Sequence, residues 1–498
     1  MNITVVGKDI KVTHDTGGDF TLPDYLPPVS RLLRAECSII PEGVYLKEGS
    51  SGITAQFGGT AIFTVMWADS DGVPWSTTLD SNYESATVIG QSAPTRCMVD
   101  TKTENVYCRV AAPRKLSLRS RLVSRILTLA EEETTPNSDG ATYEMQQQEE
   151  TTVHFYRGFG QDLQATYTEE TMISEDGSPV RPVFCTANIV TNECRQTGST
   201  IRARGDIFLT CVYDRDDGLY ETTKKIPFDE LIDLDGTPET DNLQCRVTGT
   251  ITSLNVTADE SGIRADIAYD LYAEATENLP VPITSDAYSC TMPSVCTYSD
   301  ASFLRSICCF VGNVSVNERT TCDASSVDGN VCAISASAVI EEAEAQRGKV
   351  VLTGKCNGNA LVTDSEGLSN VQFSVPWRYE VSSPDVSPGD PLIVWGSANI
   401  TSASGRIDKT RGRDDRLCLD LELSVSATVF SEKNKRILAS VKVDGDKPLP
   451  KPSKMTVYYP DPDETLWDVA KRFHVPISVA ASGGNTTPDG KPNRVMVI

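Results

Sequence analysis

Histidine is scarce in this sequence: only His14, His154 and His474 occur among 498 residues. General acid–base catalysis most often uses histidine, and a Ser-His-Asp arrangement requires one beside a nucleophile. None of the three lies in a recognisable nucleophile motif. His474 is expected to cap or pack the end of a helix, with ligand contact as the alternative. We therefore expect a protein that is not an enzyme, with no catalytic residues and no cofactor.

Long hydrophobic runs are also missing. The longest, at about residues 61–68, is interrupted by Thr64 and is far shorter than the roughly 18–20 apolar residues of a membrane span. The amino terminus, residues 1–10, alternates like a strand and lacks the basic start and apolar core of an export signal. Both absences lead us to expect a cytoplasmic protein without membrane insertion.

Basic residues are few relative to acidic ones, with 45 Lys plus Arg against 69 Asp plus Glu and a formal charge of −24. Such a surface repels phosphate backbones, so nucleic acid is not an expected partner. The hydrophobic fraction of 39% is typical of globular proteins. The length predicts several domains of about 100–150 residues each.

Fifteen cysteines are present, but no C-x-x-C pair occurs. The densest group has spacings that fit no familiar zinc pattern, and it comprises Cys290, Cys296, Cys308, Cys309, Cys322 and Cys332. We interpret these as buried thiols rather than metal ligands. The acidic runs 131–133 and 214–217 lack the spacing of a calcium-binding loop and indicate solvated charge instead. No metal site is expected.

A pair of glycines recurs three times with the same spacing of 13 positions: Gly59 and Gly72, residues 205 and 218, and residues 354 and 367. Each pair encloses a strand-like run that ends in an acidic turn, which predicts a β-hairpin. The first glycines lie 146 and 149 positions apart, close to the size of a domain. The segment 115–129 continues the first repeat as a strand or a short helix.

These repeats predict a mainly β fold of three tandem β-rich domains followed by a small βααβ module. The domains are predicted at residues 1–130, 140–277 and 278–445, with a Pro/Lys-rich linker at 446–454 and the final module at 455–498. The segments 131–139 and 279–284 are interpreted as the connections between domains.

The final segment predicts a strand, two short helices and a last strand. Thr465 followed by Asp468 has the pattern of a capping box at the start of a helix. Leu466, Val469, Ala470 and Phe473 then fall on one apolar stripe. The run 464–473, ETLWDVAKRF, resembles LysM domains, and the resemblance covers the whole segment.

In LysM domains the binding groove lies between the loop after the first strand and the loop before the last. This resemblance assigns a ligand- or partner-binding groove to Asp461, Asp463, Glu464, Thr465, Leu466, Trp467, Asn485, Asp489, Gly490 and Asn493. Asp463, Glu464 and Asn493 depart from the residues usual in the family, and added carboxylates disfavour a sugar ligand. Trp467 either lines the groove or packs beneath the small sheet of the module itself.

Three further segments resemble signatures of SPOCS domains, which are β-rich and occur in clostridial sporulation proteins. They are residues 22–31 (LPDYLPPVSR), 226–236 (IPFDELIDLDG) and 284–289 (TSDAYS). Together with LysM, this layout resembles spore morphogenesis proteins over nearly the whole chain.

The resemblance implies a non-enzymatic scaffold for assembly of the endospore coat and cortex, in the mother-cell cytoplasm at the forespore surface. Its LysM module would dock onto the ATPase of the coat basement layer, and the body would contact other coat proteins. The alternative is a cell-wall protein that binds peptidoglycan, an N-acetylglucosamine polymer. Oxidation of exposed cysteines that cross-links the coat is a further hypothesis.

Overall fold

The structure is a computed structural model, and it describes the chain apart from residues 1, 91–92, 170–179, 216–217, 260–261, 322–329, 365–366, 385, 409–415, 450–455, 483–484, 494–495 and 498. The described part is dominated by long antiparallel strands, with two short helices near the carboxyl terminus. The predicted mainly β fold is confirmed.

Eighteen of the strands fall into three sets of six, which we call units 1, 2 and 3. Unit 1 contains β1 (Asn2–Thr21), β2 (Arg31–Gly49), β3 (Gly52–Ala68), β4 (Pro74–Gly90), β5 (Arg96–Ala112) and β6 (Lys115–Glu133). After the short β7 (Asn137–Ser138), unit 2 contains β8 (Glu144–Glu169), β9 (Arg181–Thr197), β10 (Thr200–Arg215), β11 (Gly218–Asp233), β12 (Gln244–Asp259) and β13 (Gly262–Tyr288). Unit 3 contains β14 (Ser294–Thr321), β15 (Val331–Gln346), β16 (Lys349–Asp364), β17 (Gly367–Ser382), β18 (Leu392–Asp408) and β19 (Arg416–Val443).

Strand pairing follows the same plan in each unit. The second, third and fourth strands form a meander, as in β2-β3-β4, while the sixth strand lies between the first and the fifth, as in β1-β6-β5. In unit 3 a single pairing of Ala338 with Ala398 joins the two sheets. The remaining elements, β20 (Val457–Tyr458), α1 (Leu466–Phe473), α2 (Ile477–Ala481) and β21 (Met496–Val497), form what we call the C-terminal module. We call units 1 to 3 together the body of the protein.

The segment 115–129 is a strand, β6, rather than a helix. Its alternation follows the two-residue period of a strand that is buried on one face. Leu116, Leu118 and Leu122 are completely buried in the core of unit 1. Arg119 and Arg121 lie between them on the exposed face.

The three predicted hairpins are confirmed as β3-β4, β10-β11 and β16-β17. Gly59, Gly205 and Gly354 each lie opposite a register irregularity in the preceding strand, and a Cβ added to any of them would lie 2.0–2.2 Å from a carbonyl oxygen of that strand. A Cβ added to Gly354 would lie 2.0 Å from the carbonyl oxygen of Val339 and 2.6 Å from the ring of Trp377. The recurring glycine therefore makes room for a bulge on one side and an aromatic ring on the other.

All three units contribute to one apolar cluster. Leu33 and Met66 come from unit 1, Phe184 and Val212 from unit 2, and Leu361 from unit 3, each at most 2% exposed. At this junction of the three units, the backbone N–H of Ile334 in β15 donates to the Glu221 carboxylate of β11 at 2.7 Å. The three units therefore share a core, in addition to the core that each has between its own sheets.

Two of the connections predicted from sequence differ from the structure. The segment 279–284 lies inside β13, where Leu279 pairs with Thr152 of β8, so its interpretation as a linker is wrong. The predicted boundary at 277/278 accordingly falls within this strand. Residues 131–133 complete β6, and β7 then pairs in parallel with β19. In the predicted linker 446–454, Leu449 donates its backbone N–H to the carbonyl oxygen of Thr291 at 2.8 Å. Residues 450–454 of this linker lie outside the described part.

Candidate functional site: the C-terminal module and its seat on the body

Helix α1 is built as its sequence predicts. The Thr465 hydroxyl accepts from the backbone N–H of Asp468 at 3.2 Å, and the Asp468 carboxylate accepts from the backbone N–H of Thr465 at 2.9 Å. This reciprocal capping box satisfies two donors at the start of the helix. The helix ends at His474, which adopts a left-handed conformation with φ of 52°. His474 therefore has the capping role that was expected.

The apolar face of α1 lies against the end of β13. Trp467 is 6% exposed and packs edge-on against Tyr288, with 5.0 Å between ring centroids. The Tyr288 hydroxyl donates to the carbonyl oxygen of Val475 at 2.8 Å, just beyond the helix. His474 Nδ1 lies 3.3 Å from the carbonyl oxygen of Ser289. The module is thus seated on the body through both apolar packing and hydrogen bonds.

One carboxylate in β13 organises the polar part of this seat. Asp286 accepts from Trp467 Nε1 at 2.9 Å and from the Tyr298 hydroxyl at 2.7 Å, and it forms an ion pair of 2.6 Å with Lys471 Nζ. Burial favours the neutral acid, but the hydrogen bonds from Lys471, Trp467 and Tyr298 outweigh it and lower the pKa of Asp286. Asp286 therefore reaches two residues of α1 that lie one turn apart.

The two loops assigned to the groove converge because β20 and β21 pair. Tyr458, just before the first loop, pairs with Met496, just after the second. Five of the assigned residues are exposed on these loops: Asp461, Asp463, Thr465, Asp489 and Gly490. Hydrogen bonding from Thr487 lowers the pKa of Asp489. The exposed loops therefore carry three carboxylates, Asp461, Asp463 and Asp489, with the exposed Lys491 near Asp489.

Three other assigned residues hold the loops together instead of facing outwards. Glu464 accepts from the Tyr458 hydroxyl at 2.7 Å and pairs with Arg472 at 3.0 Å, and only 7% of its side chain is exposed. Asn485 is 5% exposed, and its carbonyl oxygen accepts from the backbone N–H of Asn493 at 2.8 Å. These residues shape the loops from within.

The remaining two assignments are Leu466 and Trp467. Trp467 is a buried member of the apolar cluster that includes Tyr288 of the body, and the partly buried Leu466 packs against that cluster. The indole of Trp467 packs against Tyr288 of β13, in a cluster that also includes Tyr458 of the module's own small sheet. The sequence analysis missed Asp286 and Tyr288 as its partners, although both lie in the segment 284–289 that was singled out for another reason.

The other two histidines lie in the body, and His154 lines a cleft of about 360 Å³ together with Asp235 and Glu239. His14 is stacked on Tyr83 at 5.6 Å, and burial lowers its pKa. A cleft of about 620 Å³ is lined by residues of β14 to β17, and its charged lining residues are Glu318, Glu341, Lys355 and Arg378. Lys355 pairs with Glu341 at 2.8 Å, and Arg378 pairs with Glu380 at 2.7 Å. Across the residues that the structure describes, no group of three His, Cys, Asp or Glu side chains could hold a metal ion.

Within the described ranges, no helix combines the length and apolar character needed to cross a membrane. Comparison with known proteins gave no match: no protein-family model, no curated protein and no solved structure is significantly similar to this chain.

Proposed function

We propose that this protein is a non-enzymatic scaffold in assembly of the endospore coat and cortex. Its C-terminal module is a LysM domain that docks onto the ATPase of the coat basement layer at the forespore surface. The observation that supports this best is the run 464–473, which resembles LysM and occupies the first helix of a strand, helix, helix, strand order. The repeated six-strand plan supports a body made of three SPOCS-like domains.

The way in which the body holds the module favours a role in which the exposed loops are presented to a partner. Trp467 and Lys471 fix one face of α1 to the body through Asp286. The loops that carry Asp461, Asp463 and Asp489 remain exposed. A module held in this way presents its loops in one orientation, which reduces the entropy lost when a partner binds.

The exposed carboxylates indicate the chemistry of that partner. A basic surface on the ATPase would complement them, accelerate encounter and make the association sensitive to salt. A neutral glycan chain offers no charge to pair with them. These three aspartates therefore separate a protein partner from the rival ligand, peptidoglycan.

The first experiment is affinity capture from sporulating cells with the full chain and with a chain that ends at Asp446. We expect the basement-layer ATPase to bind only the full chain. Equal capture by both would refute docking through the module.

A second set of variants keeps the module in place. Asp461→Lys, Asp463→Lys and Asp489→Lys together should reduce capture at least about tenfold, and Asp241→Lys is the matched control because it reverses an exposed carboxylate of the body. Sedimentation of the same proteins with purified murein tests the rival function. Retention on murein that persists in the triple variant, without capture of the ATPase, would establish glycan binding instead.

A further inference from the structure

Two half-buried cysteines of unit 2 face each other across the seam between its sheets. The seam is formed by β9 and β12, which are edge strands of different sheets. The backbone N–H of Leu243 donates to the Gln196 side chain at 3.1 Å across it. Cys194 lies two positions before Gln196 in β9, and Cys245 lies two positions after Leu243, near the start of β12. The two thiols meet at this seam, where they share a hydrogen bond.

Contacts on both sides keep this seam narrow. At the far end, a Cβ added to Gly249 of β12 would lie 2.4 Å from Cγ2 of Ile189 in β9. On the side of unit 3, the Cys309 thiol of β14 donates to the carbonyl oxygen of Cys245 at 3.2 Å. The backbone around Cys245 is therefore held from unit 3 while its side chain meets Cys194.

The two thiols differ in acidity because one donates a hydrogen bond to the other. The bond from Cys194 lowers the pKa of Cys245, and burial opposes this only in part. The same hydrogen bond, followed by burial, raises the pKa of Cys194. Since the thiolate is the nucleophile, Cys245 is the reactive member of the pair and Cys194 retains its proton.

We propose that Cys194 and Cys245 are a redox-active dithiol that forms a reversible disulfide across the seam of unit 2, with a small-molecule disulfide as the oxidant. The thiolate of Cys245 attacks one sulfur of the small disulfide, whose S–S bond breaks and releases one small thiolate. Cys194 then attacks the Cys245 sulfur of the mixed disulfide, and the second small thiolate leaves. The Cys194 proton goes to solvent or to that leaving group. Two protein thiols are oxidised and one small disulfide is reduced to two thiols.

The bond would connect two sheets that are not joined by strand pairing. The sulfurs must approach to about 2.05 Å, so one or both side chains rotate at the seam. Oxidation would thereby tie β9 to β12 and stiffen unit 2 next to its contact with unit 3. This inference does not depend on the ligand of the C-terminal module.

The test uses the reduced full chain in buffers of reduced and oxidised glutathione, followed by acid quenching, alkylation and mass spectrometry of peptides. We expect a linked peptide that contains Cys194 and Cys245. In Cys194→Ser, Cys245 should stop at the mixed disulfide with glutathione. Cys245 should also be alkylated at least about tenfold faster than Cys108, whose pKa is raised by burial to about 12.

Two controls make the outcome decisive. Cys309→Ser changes the neighbouring thiol and should leave the linked peptide intact, as should Cys108→Ser. Far-ultraviolet circular dichroism verifies that each variant is folded. The proposal would be overturned if the wild-type protein yielded no Cys194–Cys245 peptide at any glutathione ratio. It would also be overturned if the wild-type protein retained the mixed disulfide or linked Cys245 to Cys309.

Discussion

Glu221 provides a direct test of how the three units are joined. Its carboxylate lies near the shared apolar cluster and accepts the backbone N–H of Ile334 from unit 3. Burial is the main cause that raises its pKa to about 7, against the opposing influence of Arg34 from unit 1. Arg34 itself is paired with Glu36 at 2.5 Å and is 4% exposed. The charged form of Glu221 is therefore disfavoured at this junction.

The perturbation is Glu221→Gln, which keeps an acceptor for Ile334 but cannot ionise. The ordinary pKa of 4.5 is raised to about 7. At about 1.4 kcal/mol for each pH unit, ionisation lowers the free energy of unfolding of the native protein by roughly 3 kcal/mol at alkaline pH. A raised pKa means that this stability is present below about pH 4.5 and is lost as the pH rises through 7. The substitution should thus stabilise at pH 8 and change little at pH 4.5.

The assay is guanidinium unfolding of the full chain at pH 4.5, 6 and 8, with the wild type and Glu380→Gln as references. Glu380 is exposed, and hydrogen bonds from Lys349 and Arg378 lower its pKa, so its substitution should bring no gain at pH 8. Glu221→Gln should abolish most of the decline in stability between pH 4.5 and 8. A variant that is destabilised equally at all three pH values, or unchanged at pH 8, would refute the reasoning.

Three other predictions concern the seat of the module and the repeated glycines. Asp286→Asn should weaken the seat by about 1–3 kcal/mol, seen as faster hydrogen exchange in α1, because Lys471 loses its counter-charge. The pKa of Asp286 is lowered, so the wild-type seat should loosen only when the pH falls through this lowered pKa and the carboxylate becomes protonated. Asp286→Asn should remove this pH dependence. Tyr288→Phe should cost about 1 kcal/mol in the same measurement, since the Val475 carbonyl loses its donor. Gly354→Ala should lower the free energy of unfolding by about 1–3 kcal/mol or more. Gly49→Ala should have little effect, because the atom nearest to an added Cβ there, the carbonyl oxygen of Gly52, is 3.6 Å away.

Local pattern was sufficient for the elements that are stabilised by neighbours in sequence. The glycine pairs predicted all three hairpins, because a short acidic turn between two strands brings the strands together without help from elsewhere. Thr465 and Asp468 likewise predicted the start of α1, since a capping box needs only four consecutive residues. The linker at 279–284 was misread because prolines in a long strand resemble a connection when the paired strand is not known.

The sequence by itself determined a β-rich body with a threefold hairpin pattern and a short helical segment at its end. Only the tertiary structure decided what those elements touch: Trp467 on Asp286 and Tyr288, Glu221 at the junction, and Cys194 beside Cys245. The physical reason is separation along the chain. Periodicity reports which face of a strand or helix is buried, but the partner that buries it comes from a strand many residues away.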